Sequence, residues 1–258
     1  MGMIFDSHEK QIEPSDYFIA YIDILGYKNL IKKPGVIELA RIINKHIIYA
    51  RQIAKTYFSE KDIGSEIKLK AFSDNILLCT KTNWEILLAM VVSLQCKIIQ
   101  EDGVFIRGVL CHGNLYFDDE FLCGQGILLA HEIESEIAIY PRIIYHKSYF
   151  YAANQQDKMR KATNDFEFVS HLPHAFVDFD SYSVLDYLLI GCHLIKDEEE
   201  KRNLLKRHKD IIIKNLQADL PERVMQKYQW SMNYHDHCIE TLISSGAPLS
   251  DDYFIKKG

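Results

Sequence analysis

The chain has 258 residues, 48% of them hydrophobic and 12% aromatic, with only 12 glycines and 6 prolines. That supports one sizeable core, or a domain with a smaller appendage, and excludes long low-complexity stretches. A formal net charge of -6 excludes a protein whose main work is gripping a nucleic-acid backbone, although a small polyphosphate stays admissible because bound cations supply positive charge locally.

Residues 1–16 are polar and show neither a basic, apolar leader nor a myristoylation pattern, since Asp6 stands where Ser or Thr is required. The run Tyr17-Phe18-Ile19-Ala20-Tyr21-Ile22-Asp23-Ile24 is almost continuously apolar, as a strand covered on both faces should be. Leu25-Gly26-Tyr27 turns the chain, and Leu39, Ile42, Ile43, Ile47 and Ile53 predict a helix over 36–56. Residues 66–78 read as two strands joined near Ser73-Asp74-Asn75, 83–100 as a helix stopped at Asp102-Gly103, and 104–111 as another strand. Gly113-Asn114 predicts a turn before Leu115-Tyr116-Phe117, followed by a helix over 124–138 and a β-like Arg142-Ile143-Ile144-Tyr145. Strands alternating with helices predict a sheet with helices packed on it.

From about residue 184 the pattern turns helical, over 185–216 with a break at Lys196-Asp197 and again over 221–244. The charges of 197–207 read as a solvated helix face. The expected division is an N-terminal segment 1–16, a sheet domain 17–182 and a helical C-terminal extension 183–258. The six cysteines are scattered without a C-x-x-C pair, and no apolar run approaches membrane-spanning length. Free thiols in a reducing cytoplasm, with no membrane span, are expected.

Two acidic residues carry the chemistry. Asp23 ends an apolar strand, and Asp74 lies at a hairpin tip between Phe72 and Ile76-Leu77-Leu78. Singly, each suits a turn or a hairpin corner. Together, carboxylates in such apolar surroundings call for a partner, and a divalent cation is an efficient one. The backbone N–H groups of Ile24, Leu25, Gly26 and Tyr27 lead towards a helix and form a candidate anion nest. Carboxylates for metal beside N–H groups for phosphate describe a triphosphate site.

Four blocks in order resemble the catalytic domain of class III nucleotidyl cyclases. They are Tyr21-Ile22-Asp23-Ile24-Leu25-Gly26-Tyr27, the Ser73-Asp74 hairpin, Arg107-Gly108 with Gly113, and a helix bearing Gly124, Ala130 and Glu134. Where that family carries a helical Asn and Arg, this chain has Leu128 and Glu132; at its two base-reading positions it has Lys70 and Phe121. With Pro141-Arg142-Ile143-Ile144 and the late Lys227-Tyr228-Gln229-Trp230 and Tyr234-His235, the whole pattern is similar to the pyrimidine cyclases of bacterial Pycsar anti-phage systems.

The resemblance implies an α+β, class III nucleotidyl cyclase-like (ferredoxin-like) sandwich with a helical C-terminal extension. It implies conversion of UTP or CTP to the 3′,5′-cyclic monophosphate (cUMP or cCMP) and pyrophosphate, for a separate effector protein to read during infection. Two Mg²⁺ or Mn²⁺ ions per site would be held by Asp23 and Asp74, with the Ile24 carbonyl a further ligand. Because such sites form between subunits, a homodimer is implied. An adenylate cyclase and a degenerate nucleotide-binding or dimerisation module are the rival readings.

Arg107 is ambiguous between a phosphate contact and a surface or dimer contact. Lys70 suits a base or phosphate contact, and its ammonium matches the O4 acceptor of uracil better than the N4 amine of cytosine. An aromatic at Phe121 would shrink the pocket and stack on a smaller base. Arg142 and Lys147 are candidates for the positive charge that Leu128 and Glu132 lack. His112 and His235-Asp236-His237-Cys238 lack the spacing of a zinc site, and Trp230 with Tyr234 reads as a packing stripe.

Overall fold

A computed structural model of the chain describes residues 13–26, 67–72, 75–118, 120–161 and 175–256, with scattered helical positions between 37 and 52. Strand β1 (Ser15–Ile24) is its hub. Phe18, Ala20 and Ile22 enter one hydrophobic core, while Tyr17, Ile19 and Tyr21 enter another, as the two-residue period of a strand requires. Burial on both faces is why the sequence here is nearly all apolar.

β1 pairs antiparallel with β3 (Asn75–Thr80) on one side and with β4 (Ile106–Phe117) on the other, and β3 pairs with β2 (Lys68–Phe72). Helix α1 (Trp84–Asp102) connects β3 to β4 and ends where expected, with Gly103 left-handed at φ 65°. The order β2-β3-β1-β4, antiparallel throughout, is that of a ferredoxin-like βαββαβ unit. The expected helix over 36–56 lies largely outside the described residues.

The sheet continues through β6 (Ile143–Tyr145), parallel to β4, to the hairpin of β7 (Ala175–Val177) and β8 (Ser183–Leu185), while β5 (Leu122–Cys123) folds back on β4. Helix α2 (Gln125–Glu136) covers the Tyr17–Ile19–Tyr21 face, and α3 (Lys147–Lys161) follows β6. On the opposite face α1 packs with α4 (Tyr187–Leu194), α5 (Glu198–Leu216) and α6 (Glu222–Ser244) in a single core. The protein is thus an α+β sandwich. β8 belongs to the sheet, and the C-terminal helices complete the core on α1.

The chain departs from expectation at three places. Residues 113 and 114 make no turn, because β4 runs unbroken and pairs with β1 from Ile106 to Leu115. Gly113 is needed for close packing: a Cβ there would sit 3.0 Å from the Cα of Gly126 in α2. α3 was not anticipated, nor was the β7–β8 hairpin, whose three-residue strands are too short to show alternation.

Candidate active site

Asp23 is the penultimate residue of β1 and only 8% exposed. Its register partners are Arg107 on β4 and Asn75 on β3. The Arg107 Nε donates to Asp23 Oδ2 at 2.6 Å. The same guanidinium reaches the end of α2, where it lies 2.5 Å from the Glu134 carboxylate and donates to the carbonyls of Glu134 (3.4 Å) and Ala138 (3.3 Å). Two carboxylates therefore share one guanidinium, and the cluster is net negative. Lys227 on α6 lies within its electrostatic reach: burial pushes that ammonium below its usual range, Arg107 and Arg223 add to the fall, and Asp23 and Glu134 oppose it.

The turn after Asp23 differs from an open anion nest. The Leu25 amide is already committed, donating to the Phe105 carbonyl at 3.0 Å. Gly26 follows with φ 79°, a conformation that favours glycine. Ile24 pairs with Ile106 and sends its side chain into the larger core, while Tyr27 lies outside the described residues. Ser73 and Asp74 also lie outside them; Phe72 and Asn75, on either side, pair with one another, and Asn75 faces Asp23.

Lys70 lies on β2, and Phe121 lies between β4 and β5. β4 starts beside Asp23 and runs away from it along β1. At its far end the Lys70 ammonium stands 5.7 Å from the Phe117 ring centroid, alongside Lys68 at 5.2 Å. Phe121 is 41% exposed and stacks on Tyr116 with centroids 4.9 Å apart, in a turn fixed by the Asp118 carboxylate. Asp23 thus meets Arg107 at the start of β4, and Phe121 lies beyond its far end, while Lys70 sits in register with Leu77, which pairs with Tyr21, two residues before Asp23. Leu128 (64% exposed) and Glu132 lie on the outward side of α2.

Arg142 is corrected by its surroundings. Its side chain is fully buried, ion-paired to Asp178 and Asp180 in the β7–β8 turn and packed on the rings of Tyr140 and Phe179. A guanidinium so enclosed holds the fold and is not free to meet substrate. Lys147 is exposed at the start of α3. His235 is buried against His208, and Trp230 stacks on Tyr234 at 5.3 Å. Among the described residues no His, Cys, Asp and Glu cluster of three or more assembles a metal site, and no helix is long and apolar enough to cross a membrane.

Reasoning from sequence did not single out Glu134 or Lys227 as site residues. Glu134 left a trace: it lies one helical turn after Ala130, a charge on the buried stripe of α2. Lys227 stood in the late helical pattern without any link to Asp23, because only the packing of α6 brings it near.

No protein-family model matches the chain, and no curated protein matches it. Among solved structures it is similar to the monomeric guanylyl cyclase domain of the RhoGC fusion protein from the aquatic fungus Blastocladiella emersonii, at 17% identity and TM-score 0.44 over 57% of this chain and 90% of that one. It is similar to the adenylyl cyclase CyaB from P. aeruginosa at 16% identity and TM-score 0.40, over 57% and 84%. A class III adenylyl cyclase-like ATP-binding protein from Pseudomonas aeruginosa matches at 10% identity and TM-score 0.35, over 95% and 76%. These are likenesses in the course of the chain; the fold assignment rests on strand order and pairing.

Proposed function

We propose that the chain is a divalent-metal-dependent nucleotidyl cyclase that converts a pyrimidine nucleoside triphosphate, UTP in preference to CTP, into the 3′,5′-cyclic monophosphate and pyrophosphate. The observation that carries this reading is the nearly buried Asp23 carboxylate at the end of the central strand, in register with the residue that directly follows Asp74. Oxygen donors of this kind (the two carboxylates and the Ile24 carbonyl) fit Mg²⁺ or Mn²⁺. When bound, such ions supply charge neutralisation to the triphosphate and acidify the 3′-hydroxyl.

In the reaction the ribose 3′-oxygen forms a bond to the α-phosphorus, the bond from that phosphorus to the bridging oxygen breaks, pyrophosphate leaves, and the hydroxyl proton passes to solvent water. Asp23 and Asp74 would hold the metal. Lys70 donates to the base, and Phe121 stacks on it and narrows the pocket. Because Asp23 lies at the start of β4 and Phe121 beyond its far end, a two-fold homodimer that sets one end against the partner's other end would complete two equivalent sites. The cyclic product would act in the cytoplasm as a second messenger for a separate effector protein in anti-phage defence, a role that rests on the sequence resemblance.

The test is incubation of the pure protein with each of the four NTPs and Mn²⁺ or Mg²⁺. Cyclic UMP is the expected main product, with less cyclic CMP. Cyclic AMP or GMP as main product overturns the pyrimidine assignment, and the absence of any cyclic product overturns the cyclase.

A further inference from the structure

We infer that Glu134 is a positioning residue which, through Arg107, controls how readily Asp23 accepts a cation. The inference rests on the metal-site reading of Asp23. Arg107 is anchored on two sides. On one side its Nε holds the Asp23 carboxylate. On the other, the last turn of α2 presents the Glu134 carboxylate and carbonyl, and the segment after it the Ala138 carbonyl, to its two Nη groups. The last carbonyls of a helix have no intrahelical donor, so a guanidinium there satisfies them and meets the negative end of the helix dipole.

Arginine stays charged at every working pH and offers donors in a rigid fork, so it acts as a fixed cation beside Asp23. A metal ion must compete with it for the same carboxylate. Glu134, only 5% exposed, pulls in the other direction and keeps the guanidinium on α2. When a cation arrives at Asp23, Arg107 retains a complete set of partners on the helix and can yield the carboxylate. If the Glu134 charge is removed, Arg107 leans harder on Asp23.

Mn²⁺ binding to the nucleotide-free protein, followed by electron paramagnetic resonance of the free ion, tests this without relying on turnover. Arg107→Met is expected to tighten binding about fivefold, and Glu134→Gln to weaken it by a similar factor. The double variant is expected to match Arg107→Met, because Glu134 acts only through the guanidinium. Glu134→Asp keeps the charge but shortens the reach, and is expected to weaken binding as well, which a simple charge effect would not produce. An equal loss from Glu134→Gln in both backgrounds overturns the inference, as does no loss at all or weaker binding in Arg107→Met. Complete absence of Mn²⁺ binding by the wild type overturns the metal reading of Asp23 and this inference together, whereas tight binding with additive effects overturns this inference alone.

Discussion

The indole N–H of Trp230 donates to Asp178 Oδ2 at 2.7 Å, and that same carboxylate oxygen is held by the buried guanidinium of Arg142. Helix α6, the β7–β8 turn and the start of β6 are therefore tied by one charged knot. Tyr140 stacks on Trp230, and Phe179 meets Tyr140 edge-on above it.

Arg142→Met breaks that knot and leaves Asp178 without its ion-pair partner in a nearly dry setting. Removing one member of a buried pair costs about 3 kcal/mol or more, so a fall in Tm on the order of 10 °C is expected by calorimetry. An unchanged Tm would return Arg142 to the list of residues free for substrate.

Asp23→Asn and Asp74→Asn are each expected to reduce cyclase turnover by at least about a thousandfold, since a neutral amide is a poor ligand for a hard divalent cation. Melting temperature and dimer mass by light scattering are the controls. A variant that loses its fold along with its activity would make that aspartate a structural residue.

Lys70→Ala is expected to narrow the preference for UTP over CTP by roughly tenfold in kcat/KM, the loss of one charge-assisted hydrogen bond to O4. An unchanged ratio between the two substrates would remove Lys70 from base reading.

Acid is expected to weaken the C-terminal half. Tyr187 donates to His208 Nε2 at 2.6 Å, His208 Nδ1 bonds His235 Nδ1 at 3.0 Å, and His235 Nε2 donates to the Tyr253 carbonyl at 2.9 Å. This chain closes with both rings neutral. Burial lowers both pKa values from the ordinary 6.5, and His235 adds to the fall at His208. The unfolded chain thus takes up protons that the folded one resists, so the stability is fully present above pH 6.5 and is lost as pH falls below it. Urea midpoints between pH 8 and 5 read this, and a His208→Gln variant should show a flatter profile. Asp186, raised by burial, has the opposite sign, so the difference between wild type and variant isolates the histidines.

Much of the architecture was legible along the chain. The continuous apolar run of β1 and the glycine at 103 that stops α1 are local statements, because strand burial and helix termination depend on side chains a few residues apart. Asp23 stood out for the same reason: a carboxylate at the end of an apolar strand is anomalous whatever surrounds it. β4 was misjudged at Gly113 because the cause is a neighbour in space, Gly126, and not a turn.

By itself, then, the sequence determined that β1 is a buried strand, that α1 stops at Gly103, and that Asp23 sits where a charge needs a partner. Tertiary structure alone decided who that partner is. Arg107 is 84 residues away and meets Asp23 through the antiparallel register of β1 and β4, while Glu134 arrives by the packing of α2 on that face. It also decided that Arg142 is enclosed and that Phe121 lies beyond the far end of β4 from Asp23. Ion pairs and burial depend on distances between remote segments, and those distances exist only once the sheet has assembled and the helices have packed on it.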